Sequence, residues 1–190
     1  WSGAVEQSYL GIGLRFSAIA LLCTTSLLAI FWKEITSLYE QGDLEKLEEL
    51  FNKTILSIYI FTTLIVVITL PWTSSLIDIL LGDQYSNGFY TILILFIYPV
   101  HQCLGQVTSS FLYAVECTRI QSFIGCIFML FSLLSCYIIL SPDLLFIRGF
   151  QLNSVAVALN IVICNILFTN ITLYYIYKKF NWRKLFSFQF

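Results

Sequence analysis

The side chain with the clearest potential for chemistry is Arg15, a cation inside an apolar stretch of the chain. Ionisable residues at membrane depth are rare, and they usually face a cavity or a partner. A guanidinium there is suited to binding an anionic group such as a phosphate. The alternative is that Arg15 extends to the outer membrane interface. Small and polar residues at helical spacing share one face with it and favour the first interpretation: Ala4, Ser8, Gly11 and Ala18.

A second group of candidate binding residues follows Pro99. His101 is the single histidine of the chain, and Gln102 and Gln106 lie close behind it. Pro99 frees a backbone carbonyl, which we expect these side chains or water to satisfy. His101 is suited to proton coupling, and the alternative is a neutral histidine that is hydrogen-bonded within the bundle.

The last apolar stretch contributes Asn160, a further candidate for substrate binding. Hydrogen bonding between helices is the default explanation for an asparagine in this setting. The sequence contains no carboxylate pair, nucleophile–base pair or metal-ligand cluster. We therefore predict that the protein is not an enzyme and uses no metal or cofactor.

The composition places these residues in a membrane protein. Charged residues make up 11% of the chain, hydrophobic residues make up 58%, and the mean hydropathy is +0.85. So few charges could not cover the surface of a soluble domain, whereas lipid removes that requirement. The net charge of −1 and the absence of basic, aromatic-rich runs argue against a nucleic-acid partner.

The elements that must position the candidates are long apolar helices. A membrane-spanning helix needs about 20 mostly apolar residues. The sequence predicts an all-α bundle of about five transmembrane helices, over residues 9–32, 54–81, 88–115, 119–141 and 153–177.

The positions of Lys and Arg predict the orientation of these helices. Eight of the ten basic residues lie in segments 33–53, 116–119 and 178–190, on one side of the predicted membrane. Such a bias is typical of the cytoplasmic side. We therefore expect a cytoplasmic C-terminus, with 181–190 as a cytoplasmic tail, and a cell membrane location.

Segment 37–53 carries a helix start, with Asp43 as its N-cap, followed by leucines and Phe51 on one face. This pattern indicates an amphipathic helix at the cytoplasmic membrane surface, and a solvated hairpin is the alternative. The chain begins at Trp1, and its single methionine is Met129. We therefore expect that upstream helices of the same protein are missing from it.

Three motifs, in this order and spacing, resemble those of a known family. They are Gly13-x-Arg15 with the following Ser37–Leu47 segment, Pro71 with Leu80–Tyr85, and Leu112–Arg119. Together they make residues 8–180 similar to the C-terminal half of polysaccharide or oligosaccharide-lipid flippases. These flippases belong to the multidrug/oligosaccharidyl-lipid/polysaccharide exporter superfamily.

This resemblance implies a MATE-like transporter of two helix bundles in a bacterial inner membrane, of which residues 1–180 would be the C-terminal bundle. It implies alternating access, with bending at Pro71 or Pro99, and a lipid-linked glycan as the substrate. Arg15 occupies the family's basic lumen position, where it would hold the diphosphate of an isoprenoid carrier. The substrate and membrane lipid would then be the partners.

Other functions remain open at this point. Cation-coupled multidrug export in the same superfamily requires acidic residues buried in the lumen, and the sequence shows no convincing set. A membrane-embedded glycan transferase or polymerase requires a long outer loop, whereas segments 82–88 and 142–152 are short. A purely structural membrane subunit is the last alternative.

Overall fold

The structure is a computed structural model that describes residues 3–141 and 152–182, without the side chains at 20, 23, 26, 83 and 84. The predicted loop 142–152 and tail 181–190 lie almost wholly outside the described residues. Within the described ranges the chain is an all-α helix bundle. Its helices are α1 (Ala4–Gln41), α2 (Leu44–Thr69), α3 (Thr73–Leu80), α4 (Phe89–Ala114), α5 (Thr118–Leu140) and α6 (Ser154–Phe180).

Four helical segments of the described chain are long and apolar enough to cross a membrane. They are Leu44–Leu80, Tyr85–Ala114, Thr118–Leu140 and Ser154–Phe180. The first predicted stretch, 9–32, lies inside α1, which is 38 residues long but is not among these four. The prediction of an all-α membrane bundle is therefore confirmed, whereas the fifth span and the two-bundle arrangement stay predictions.

Helices α1 and α2 form a hairpin with a tight turn. Gly42 ends α1 in the left-handed conformation at φ 73°, where a residue without a Cβ has no steric penalty. Asp43 then caps α2 by accepting a hydrogen bond from the backbone N–H of Lys46 at 3.2 Å. The side chain of Lys46 also donates to this carboxylate, at 2.7 Å, and holds the pKa of Asp43 below its usual range. The predicted N-cap is therefore correct.

The predicted amphipathic helix over 37–53 is not a separate element. Residues 37–41 belong to α1, and residues 44–53 are the first turns of α2, which continues without a break to Thr69. Leu47 and Phe51, which we expected to face lipid headgroups, are fully buried against the bundle. The hairpin interpretation is closer to the structure, because burial of this apolar face replaces its contact with the membrane surface.

Helices α1, α4 and α6 run in the same direction, and α2 runs against them. Residues near the start of α1 contact the start of α4, and Trp32 near the end of α1 stacks on Tyr113 near the end of α4, with ring centroids 6.3 Å apart. Thr91 and Ser154 share a hydrogen bond of 2.8 Å at the starts of α4 and α6. We call the end of the bundle at which α1, α4 and α6 begin the start end.

The opposite end of the bundle contains the described lysines and Arg119, so we call it the basic end. An aromatic cluster joins three helices there: Phe51, Phe111, Tyr177, Phe180 and Trp182. The Tyr177 hydroxyl also donates to the side chain of Asn52 at 2.7 Å. The largest buried cluster of the described chain therefore includes these rings at the basic end and extends to Ile58 and Cys103 in the middle of the bundle.

The two prolines inside predicted spans have different effects. At Pro71 the α-helix stops, and a 3₁₀ turn over Leu70–Trp72 separates α2 from α3. At Pro99 the helix α4 continues. Pro99 lacks the N–H that would bond to the carbonyl of Leu95, and the hydroxyl of Ser17 on α1 donates to that carbonyl instead, at 2.7 Å.

This bond corrects the expectation that His101, Gln102, Gln106 or water satisfies the freed carbonyl. The carbonyl belongs to Leu95, one turn before Pro99, and it faces α1. Ser17 reaches it because α1 approaches α4 closely at Gly13, where an added Cβ would lie 2.5 Å from a terminal methyl carbon of Leu95. Small residues permit such close packing between membrane helices.

We expect Gly13→Ala to lower the free energy of unfolding by about 1–3 kcal/mol, the usual cost of overpacking. The added methyl would push α1 from α4 and lengthen the bond from Ser17 to Leu95. Thermal unfolding in detergent would measure the change.

Gly11→Ala is the matched control, because no atom lies within 4 Å of the added Cβ and Gly11 is on the same helix. It should be neutral or stabilising, since alanine is the better helix former. Equal destabilisation by the two substitutions would show that the contact between α1 and α4 is not the cause.

Candidate functional site

Arg15 projects from α1 on the side turned away from α4. It lies two residues after Gly13, about 200° around the helix from the α4 contact. Its side chain is exposed, and it makes no hydrogen bond or ion pair with the residues that the structure describes. The guanidinium is therefore available for a group outside this part of the chain.

The surroundings of Arg15 combine small residues with large apolar ones. Gly11 and Ala18 are exposed on the same face, as the sequence pattern predicts. Ile19 and Leu22 are 63% and 67% exposed beside them. Because Gly13 contacts Leu95 and α4 begins at Phe89, Arg15 lies about two turns from the start end of α4. Small and apolar side chains therefore border this cation, and burial in a membrane would strengthen its pairing with an anionic group.

A row of polar contacts, the polar seam, joins α4 to α6. Gln102 accepts a hydrogen bond from the side-chain amide of Asn165. The hydroxyl of Thr169 donates to the backbone carbonyl of His101 at 3.0 Å. An added Cβ at Gly105 would lie 3.1 Å from this hydroxyl, so the two helices are close. The candidate Gln102 therefore has a structural partner within the bundle.

His101 and Gln106 each contain a buried polar atom without a hydrogen-bond partner among the described residues. These atoms are the Nδ1 nitrogen of His101 and the Oε1 oxygen of Gln106. Buried polar groups are normally hydrogen-bonded, so unpaired atoms next to the polar seam have capacity for a further donor or acceptor. They are the two sequence candidates that keep such capacity inside the bundle.

A double-mutant cycle on Gln102→Leu and Asn165→Leu should give a coupling energy of about 1 kcal/mol, as found for hydrogen bonds between membrane helices. Unfolding in mixed micelles would measure each variant. The same cycle on Gln102 and Asn160, which are not hydrogen-bonded to each other, should be additive. Additive effects in both cycles would contradict the bond between Gln102 and Asn165.

Asn160 belongs to a different contact, between α5 and α6. Its side-chain oxygen accepts hydrogen bonds from the hydroxyl of Ser135 at 2.9 Å and from the thiol of Cys164 at 3.5 Å. This is the interhelical role that the sequence favoured by default. No hydrogen bond joins Asn160 to the polar seam, so it is not part of one hydrogen-bonded site with Gln102.

The predicted candidates therefore lie in three separate places. Arg15 is on the face of α1 turned away from α4. Helix α4 carries His101, Gln102 and Gln106, and Asn160 lies between α5 and α6. Ser17 and Thr169 were not predicted as partners, whereas Asn165 makes the interhelical hydrogen bond that is the default expectation for the asparagines of the last span. The signal for Ser17 was its spacing of four residues from Gly13, which places both on one face of α1.

An apolar cavity of about 250 Å³ lies beside the break at Pro71. Its wall is formed by α1, α2, α3 and α4, and includes Phe16, Ile65, Leu76 and Pro99. The hydroxyls of Ser17 and Thr69 in its wall are already bonded to backbone carbonyls. The cavity thus offers space beside the interrupted helix but no free donor for a polar ligand.

Among the described residues, no group of three or more His, Cys, Asp or Glu side chains is placed to hold a metal ion. Comparison of the chain with family models, curated proteins and solved structures gives no match.

Proposed function

We propose that this chain is part of a membrane transporter, a flippase that moves a lipid-linked oligosaccharide or polysaccharide repeat unit across the cytoplasmic membrane for surface polysaccharide synthesis. The observation that carries the proposal is Arg15, an exposed cation that has no partner among the described residues and lies on the face of α1 turned away from α4. The resemblance of its motifs to those of oligosaccharide-lipid flippases supplies the substrate class.

The chemistry of Arg15 suits the diphosphate of an isoprenoid carrier. A planar guanidinium donates two parallel hydrogen bonds to phosphate oxygens, and the bond is strengthened when both groups are out of water. The small side chains of Gly11 and Ala18 leave room beside the guanidinium for a headgroup. In this proposal Arg15 holds the diphosphate, and the glycan occupies a hydrated space formed with the rest of the transporter.

The break at Pro71 is the proposed site of movement. Helix α3 is only eight residues long and is separated from α2 by the 3₁₀ turn. In this proposal the cavity next to it, which is lined by Leu76 of α3, gives α3 room to shift. Pro99 is not included in this step, because Ser17 replaces the lost hydrogen bond and α4 remains continuous.

The basic end is proposed to face the cytoplasm of a bacterial cell. Its lysines and Arg119 satisfy the bias of basic residues towards that side. Cation-coupled drug export, the alternative within the superfamily, is less well supported, since the buried polar side chains of the described chain include no Asp or Glu.

Removal of the protein from its host tests this proposal. Cells without it should lose surface glycan and accumulate the lipid-linked unit in the inner leaflet, and re-expression of the complete protein should restore both. Normal surface glycan in its absence, with no accumulation, would contradict a flippase function.

A further inference from the structure

A cleft of about 280 Å³ lies between α1 and α2 on the side of the hairpin. Its apolar wall consists of Leu27, Ile30, Phe31, Leu50 and Ile58, and its polar wall consists of Glu34, Lys53, Thr54 and Ser57. The cleft is therefore amphipathic, and it offers both a hydrocarbon surface and hydrogen-bonding groups to one ligand.

Along α1 the lining of the cleft changes from charged to apolar with distance from the turn. Glu34 lies eight residues before Gly42, so it is about 12 Å from the turn, and Leu27 is about 10 Å deeper. Trp32, level with the cleft, is 41% exposed and stacks on Tyr113, which is also 41% exposed. Exposed Trp and Tyr side chains typically mark the headgroup level of a membrane. Glu34 and Lys53 are thus at headgroup depth, and Leu27, Ile30 and Ile58 lie deeper, at acyl-chain depth.

Glu34 and Lys53 both have capacity to bind. Glu34 is exposed and makes no hydrogen bond or ion pair with the described residues. Lys53 pairs with Glu49 at 2.6 Å, but its side chain is 72% exposed and its ammonium carries two more donors. A ligand with one anionic and one cationic group complements this pair.

The charge balance around the cleft favours a zwitterionic ligand over an anionic one. The cleft is lined by one carboxylate, Glu34, and one ammonium, that of Lys53, which is itself paired with Glu49, so an anionic lipid would gain no net attraction. A primary ammonium can also donate hydrogen bonds to Glu34, whereas a quaternary ammonium has no N–H to donate.

We propose that this cleft binds a membrane phospholipid with a primary ammonium headgroup, of the phosphatidylethanolamine class. Lys53 donates to the phosphate, Glu34 accepts from the ammonium, and one acyl chain lies along Leu27, Ile30 and Ile58. The site lies about 28 Å along α1 from Arg15, and it is independent of the flippase proposal.

Native mass spectrometry of the complete, detergent-purified protein tests the site. Phosphatidylethanolamine, phosphatidylcholine and phosphatidylglycerol with identical acyl chains are added in equal amounts. The wild type should retain phosphatidylethanolamine preferentially. Lys53→Gln should lower this retention about threefold, the size expected for one exposed ion pair. Glu34→Gln should remove the preference for ethanolamine over choline.

Two matched controls separate the cleft from the rest of the hairpin. Lys46→Gln removes an equally exposed lysine outside the cleft and should leave retention unchanged. Ser57→Trp should fill the cleft and reduce retention, whereas Leu56→Trp, on a neighbouring exposed position outside it, should not. The proposal would be overturned if the wild type retained all three lipids equally or preferred phosphatidylglycerol. It would also be overturned if an isoprenoid diphosphate displaced the lipid, or if variants and controls had identical effects.

Discussion

In the proposed flippase, replacing Arg15 by alanine is expected to lower surface glycan export roughly 30-fold or more, because loss of one partner from a desolvated ion pair with the diphosphate costs about 2 kcal/mol or more. Complementation of a host strain without the protein would measure the effect. The amount of inserted protein should be unchanged, since Arg15 makes no hydrogen bond or ion pair with the described residues.

Two further variants identify the cause of this loss. Arg15→Lys keeps the charge but not the two-pronged geometry, so part of the export should remain. Arg119→Ala removes an exposed arginine at the basic end and should leave export near the wild-type level. Normal export by Arg15→Ala at normal expression would show that this cation does not hold the diphosphate.

The second large effect is expected at Phe51, at the centre of the aromatic cluster. Its side chain is fully buried. Its ring centroid is 4.5 Å from that of Phe111 and 5.7 Å from that of Trp182. Phe51→Ala should lower the free energy of unfolding by about 3–5 kcal/mol, because it leaves a cavity where α2, α4 and α6 meet.

Phe61→Ala is the matched control for this substitution. It makes the same chemical change on the same helix, at a side chain that is 47% exposed. Its cost should be within about 0.5 kcal/mol, as for most exposed positions. Thermal unfolding in detergent measures both variants, and similar melting temperatures for the two would contradict a stabilising role of the aromatic cluster.

The helices themselves could be predicted well from the sequence. Segments 88–115 and 119–141 match α4 and α5 within one residue at each end, and 153–177 differs from α6 mainly by one turn at its C-terminal end. Long apolar runs predict helices reliably, because every backbone polar group must be satisfied within its own segment in lipid.

The continuity of α2 was harder to predict. The sequence correctly predicted its start at Asp43, but placed the membrane span from residue 54 onwards. The acidic residues of the first turns suggested a surface helix. In the structure Glu49 pairs with Lys53 on the exposed side of α2, whereas Leu47 and Phe51 on the other side of the helix are buried.

The partners of the polar candidates could not be predicted, since each depends on which helices are neighbours. The hydroxyl of Ser17 bonds to Leu95 only because α1 and α4 run side by side. The sequence predicted a common face around Arg15, and the structure adds that this face is turned away from α4. The structure also shows that Asn160 bonds to Ser135 on α5 and not to the candidates on α4. The sequence pattern could not distinguish these positions, because it does not show which helices are neighbours.

Translocation in reconstituted vesicles tests the central role of Arg15 most directly. The complete protein is inserted into liposomes that contain a fluorescent isoprenoid diphosphate-linked sugar, and a membrane-impermeant quencher reports its movement between leaflets. We expect transfer by the wild type and little transfer by equally inserted Arg15→Ala protein. Equal rates for the two proteins, or a wild-type rate no faster than that of protein-free liposomes, would contradict transport through this cation.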